Sequence, residues 1–111
     1  MKTLSRSEET LLLTILKLKD SAYGVSIWQQ IYKDTGQKWS FASIYTPLDK
    51  LKRKGFVKKM KGDPLPERGG KSKYFYEVTH SGLQVLLYIR ETQQKIWSGI
   101  PDIALEIKGK K

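Results

Sequence analysis

Ser40, Ser43, Thr46 and Lys50 recur three or four residues apart, so on a helix they share one face. Ile44, Leu48 and Leu51 repeat at the same period on the opposite side. Hydroxyls in such a row can approach base edges or phosphates. Lys50 and Lys54 can pair with backbone phosphates. The plain alternative is a solvated helix face with ordinary caps, and spacing alone does not separate the two. A second constellation lies downstream, where Arg68, Lys71 and Lys73 surround Gly69 and Gly70. Glycines let a backbone come close to a phosphate, and arginine suits a narrow minor groove. The alternative here is a plain hairpin tip. The stretch RGGK lacks the GxxxxGK[ST] spacing of a phosphate-binding P-loop.

Enzyme chemistry finds no footing. His80 is the only histidine and has no evident serine–carboxylate partnership. The carboxylates are scattered along the chain without a pair suited to acid–base work. With no cysteine and no second histidine, a transition-metal site lacks its usual ligands, and no cofactor is implied.

The charge is a local feature. The 111 residues carry a net charge of +10. Residues 50–73 hold ten Lys and Arg against Asp63 and Glu67, a net of +8, which leaves +2 for all the rest. A focused basic segment is the electrostatic footprint of a polyanion binder rather than of an evenly solvated surface.

Composition bounds the remainder. The length suits one domain, and a domain this small gains from a partner subunit. Apolar residues at 39% and charged residues at 29% describe a globular chain, not a disordered one. The run Leu11–Leu16 is far shorter than the roughly 20 residues of a membrane span, and no signal peptide is legible. A cytoplasmic location without membrane attachment is the expectation, and the absence of cysteine suits it.

The elements that must position these residues follow from period and punctuation. Ser5 and Glu8 have capping-box spacing and predict a first helix ending at Asp20–Ser21. Leu11, Leu12, Ile15 and Leu16 form its stripe, and Leu13 lies off it. A second helix is expected over 22–34, stopped by Gly36. Residues 37–40, QKWS, can form a very short strand before a third helix over 41–54, closed by Gly55. Pro47 stands inside that helix. If Ser40 is the cap, Pro47 lies two turns in. If the regular helix begins near Ser43, Pro47 falls in the tolerant first turn. One helix, bent or loosened near residues 43–47, is the expectation. Residues 56–61 and 73–79 read as strands around a hairpin loop rich in Gly and Pro. Thr79 then caps a long helix over 80–98, stopped by Gly99 and Pro101.

Three helices followed by a hairpin make a winged helix-turn-helix. The fold class is mainly α with a small β-hairpin, plus a C-terminal dimerisation helix. The expected division is a DNA-binding domain over 1–79, a dimerisation helix over 80–99 and a tail over 100–111. Leu13, Val85, Ile89, Ile96 and Trp97 are the candidate dimer contacts, because the stripes of the first and last helices exceed what one small core needs. Trp97 can also line a pocket for a flat effector at such an interface.

The sequence resembles the PadR family of bacterial transcriptional regulators. The residues that carry the resemblance are Tyr23–Gly24, the block SIYTPLDKLKRKGFV (43–57) and the block RGGKSKYFYEVTHSG (68–82), within about residues 4–98. The chain is similar to short members with one C-terminal helix. The resemblance implies a homodimeric repressor whose first and last helices form the dimer contact. It also implies that Tyr45 reaches a phosphate. By the residues alone, Tyr45 is either that or a core aromatic with its hydroxyl at the rim.

The reading is a homodimeric, sequence-specific binder of double-stranded DNA. Helix 41–54 enters the major groove, wing 62–72 lies on the backbone or minor groove, and the operator is palindromic. Two rivals remain at this level: a non-specific RNA- or nucleoid-binding basic protein, and a winged-helix adaptor between proteins.

Overall fold

The computed structural model describes residues 3–64 and 72–102. The first helix, α1, spans Arg6–Leu18. Its capping box forms as the sequence expects: Glu8 N–H donates to Ser5 Oγ at 3.1 Å, and Ser5 N–H donates to Glu8 Oε1 at 2.8 Å. A 3-10 turn, Lys19–Ser21, leads to α2, Gly24–Thr35. Gly36 ends α2 with φ 73°, the left-handed conformation that favours glycine.

Helix α3 spans Phe41–Arg53 and runs without interruption through Pro47. Ser40 is its cap, accepting from Ser43 N–H at 3.1 Å. The first of the two placements of Pro47 is therefore the real one. Pro47 has no N–H to offer the Ser43 carbonyl. The expected loosening does not break the helix, because Ile44, Leu48 and Leu51 hold its inner face in the core. Each such burial contributes roughly 1.5–3 kcal/mol, comparable to the usual cost of an interior proline.

The hairpin pairs β1, Val57–Pro64, with β2, Ser72–Val78, antiparallel from Val57↔Val78 to Lys61↔Tyr74. The register shifts between Lys61 and Pro64. The QKWS strand does not form; residues 37–40 have no regular structure. The hairpin finds its third partner elsewhere. Tyr23 bridges Phe75, and Tyr76 N–H donates to the Ala22 carbonyl at 2.8 Å. The chain just before α2, not the chain just before α3, supplies the bridge to the hairpin. The Trp39 carbonyl is used differently, accepting from the Trp28 indole at 2.6 Å.

The last helix, α4, spans His80–Ser98. Thr79 caps it, accepting from Gly82 N–H at 3.1 Å and donating its own hydroxyl to the Gly55 carbonyl at 2.6 Å. Thr79 N–H also donates to the Phe56 carbonyl at 3.0 Å. Two bonds thus pin the start of α4 to the turn after α3. Gly82 is buried there, and a Cβ on it would run into the Phe56 carbonyl oxygen and Val78. Among the described residues the core joins Leu11, Leu12 and Ile15 of α1, Ile27 and Ile31 of α2, the inner face of α3, Phe56, Tyr76 and Leu86.

Candidate nucleic-acid interface

Helix α3 is sharply two-sided. Ile44, Leu48 and Leu51 are buried, whereas Ser40, Ser43, Tyr45, Thr46 and Lys50 are all exposed. The hydroxyls of Ser40 and Ser43 lie 2.8 Å apart, so the cap also fixes the position of the first hydroxyl pair. The sequence-expected face of α3 is thus assembled and open.

Lys54 stands apart from this face. It is the C-cap of α3, and its Nζ donates to Glu8 Oε2 at 2.9 Å. The Glu8 side chain is buried, and its other oxygen holds the α1 cap. Burial pushes the Glu8 carboxyl up, but the Ser5 N–H and the Lys54 ammonium outweigh it, leaving the group below its ordinary value. Lys54 therefore ties α3 to α1, and a phosphate would have to compete with Glu8 for it.

The wing's root meets α3 and the start of α2 at a cleft of about 430 Å³. Tyr23, Gly24 and Val25 form one wall, Tyr45 another, and Lys59, Lys73, Tyr74 and Tyr76 the third. Lys73 Nζ sits 3.7 Å from the Tyr23 ring centroid, and Lys59 Nζ sits 4.5 Å from that of Tyr74. Both ammonium groups are held on aromatic faces at the rim of the cleft. Tyr45 lines this cleft from α3. It is 42% exposed, yet its hydroxyl lies where a Cβ of residue 24 would stand. That close approach accounts for the glycine at position 24. Tyr76 is buried behind it, its hydroxyl pushed up to about 12 by burial and by the charges of Tyr45 and Asp49, so it stays a neutral phenol. Arg68 and Lys71 lie outside the described residues.

Sequence reasoning missed an aromatic row beside this face. Tyr32 stacks on Trp28 at 6.3 Å, Trp28 on Phe41 at 6.2 Å, and Phe41 on Tyr45 at 6.3 Å between centroids. Trp28 and Tyr32 sit at helical spacing, as do Phe41 and Tyr45. Only the packing of α2 on α3 joins the two pairs.

A second surface lies between α1 and α4. Leu13 and Leu16 of α1 face Leu83, Leu87 and Trp97 of α4 across an apolar groove of about 560 Å³. Among the candidate dimer contacts, Leu13 is 46%, Ile96 56% and Trp97 59% exposed. Ile89 is half-buried. Val85 is half-buried and packs against the chain's own core, on the face of α4 that Gly82 and Leu86 turn inward. Leu16, Leu83 and Leu87 are the exposed apolar residues that the stripe argument did not single out for contact. Among the described residues no group of three or more His, Cys, Asp or Glu side chains is placed to hold a metal ion. No helix among them is long and apolar enough to cross a membrane.

The model of the family described as Transcriptional regulator PadR-like family matches residues 12–87, from the middle of α1 into α4. The chain belongs to the PadR-like family. Its members are regulators of transcription, not enzymes. Solved structures, some of them described as PadR-family or PadR-like regulators, share the fold. The protein smu.1704 of Streptococcus mutans is 24% identical, with a TM-score of 0.66 over 96% of this chain and 94% of that one. A PadR family transcription regulator from Clostridium difficile is 23% identical, with a TM-score of 0.64 over 82% and 91%. The hsRosR-S1 complex reaches a TM-score of 0.71 at 19% identity, over 96% and 87%. No curated protein matches the chain significantly. The winged helix expected from the sequence is thus the fold of a PadR-like regulator, with its C-terminal helix in place.

Proposed function

We propose that the chain is a homodimeric, sequence-specific repressor of the cytoplasm that binds a palindromic duplex. The α3 face enters the major groove of each half-site. Ser40, Ser43 and Thr46 face base edges or nearby phosphates, and Lys50 pairs with the backbone. Tyr45, Lys73 and the wing residues Arg68 and Lys71 grip the flanking backbone or minor groove. The α1–α4 groove receives the same groove of a second copy. Completed in that way, it also has room for a flat effector beside Trp97.

One observation carries this reading. Ser40, Ser43, Thr46 and Lys50 of α3 are left in the open while Ile44, Leu48 and Leu51 are sealed in the core. That open face adjoins the basic root of the wing through the cleft at Tyr45. Selection of preferred duplexes from a random pool tests the proposal. It expects a symmetric motif with half-sites about one helical turn apart. Retention of all sequences alike, or of RNA as readily as duplex DNA, overturns it.

A further inference from the structure

Phe41 is a large apolar side chain in an odd place. It is the first residue of α3, between the hydroxyls of Ser40 and Ser43, and it is 53% exposed. An exposed phenylalanine usually loses rotamer freedom when it is ordered, a cost that binding must offset. Here the cost is already met. The ring is stacked between Trp28 on α2 and Tyr45 one turn along α3, at 6.2 Å and 6.3 Å with interplanar angles of 29° and 25°. Trp28 is itself tethered, since its indole N–H donates to the Trp39 carbonyl two residues before Phe41. The start of α3 and the ring it carries are therefore held as one unit.

We propose that Phe41 is a specificity-determining residue that reads the 5-methyl group of a thymine in the major groove. The inference rests on the DNA-binding reading above and deepens it. The thymine methyl is the one apolar group that a base edge presents in the major groove, and phenylalanine is among the side chains that contact it. Helix-turn-helix proteins place the N-terminal residues of the recognition helix against base edges. The exposed side around Phe41 carries the Ser40 and Ser43 hydroxyls, the part-exposed rings of Tyr45 and Tyr32, and Lys38 at 5.9 Å from the Tyr32 ring centroid, a mix of apolar faces, hydroxyls and positive charge that suits a base edge beside phosphates. A pre-held ring in that position supplies apolar contact without fresh ordering, the condition under which one methyl group counts most.

The test uses the full chain and the duplex obtained by selection. Each thymine is replaced in turn by deoxyuridine, which deletes only the methyl. The wild-type chain is expected to lose about fourfold in affinity at one thymine of each half-site, the equivalent of one buried methyl group. Phe41→Ala is expected to bind the unmodified duplex correspondingly more weakly and to be indifferent to deoxyuridine at that same position. Phe41→Leu, which keeps an apolar side chain, is expected to retain part of the sensitivity. A duplex with no sensitive thymine overturns the inference. So does a sensitive thymine to which wild type and Phe41→Ala respond equally. Phe41→Ala losing single-stranded DNA binding while the duplex scan stays flat overturns it too, and makes the aromatic row a stacking platform instead. If no preferred duplex emerges at all, the DNA-binding reading falls with it. If a duplex emerges and the scan fails, only the thymine contact falls.

Discussion

Lys54 closes α3 by reaching 2.9 Å to the buried carboxylate of Glu8 in the first turn of α1. One carboxylate thereby serves two elements, since its other oxygen completes the α1 capping box. Glu8→Ala removes both and is expected to cost about 1–2 kcal/mol. Lys54→Ala leaves the cap and is expected to cost about 1 kcal/mol at most, because the lysine is partly exposed. Urea denaturation of the two variants checks the order.

The same pair sets a pH dependence. The Glu8 carboxyl lies below its ordinary 4.5 in the folded chain. Its contribution to stability is therefore complete above about pH 4.5 and is lost as pH falls through the lower, folded-state value. Glu8→Gln is expected to flatten that part of the acid limb in thermal melts. An unchanged limb would show that the carboxylate is not held by Ser5 and Lys54.

Gly82 tests the seat of α4. A methyl group there meets the Phe56 carbonyl oxygen, a backbone atom that cannot swing aside. Gly82→Ala is expected to destabilise by about 1–3 kcal/mol, despite alanine's better helix propensity. Gly24→Ala differs in kind. Its obstacle is the end of the Tyr45 side chain, so displacement of Tyr45 and weaker DNA binding are expected more than unfolding.

These relationships mark how far the sequence was legible. Local signals survived: the Ser5–Glu8 box, the Thr79 cap, the Gly36 stop and the two-faced period of α3 all depend on residues within a few positions of one another. Long-range pairings did not. Nothing in the spacing of Glu8 and Lys54, 46 residues apart, announces their bond. The bridge from Tyr23 to Phe75 replaced the strand expected at QKWS because strand pairing is decided by tertiary approach, not by local propensity. The half-burial of Val85 against the core was likewise not legible from the apolar stripe of α4 alone, which does not say which flank meets the core.

Salt titration separates the lysines. Each lost phosphate contact lowers the slope of log K against log salt by about 0.9. Lys73→Ala is expected to lower it and to weaken all sequences alike. Lys54→Ala is expected to leave the slope unchanged, since its ammonium is engaged with Glu8.

The α1–α4 groove predicts the oligomeric state. Leu87→Glu buries a charge in that groove if a second copy covers it. Sedimentation is expected to show a dimer for the wild type and a dimer constant weakened about 100-fold or more for the variant. A wild-type monomer at all concentrations contradicts the pairing.

The central claim is that the open face of α3 chooses the DNA sequence. Parallel selections from one random duplex pool, with the wild-type chain and with Ser43→Ala or Thr46→Val, test it most directly. The account predicts a symmetric wild-type motif and, for each variant, a changed preference at the same position of both half-sites with the rest of the motif kept. An identical motif for all three chains, or none for the wild type, would contradict it.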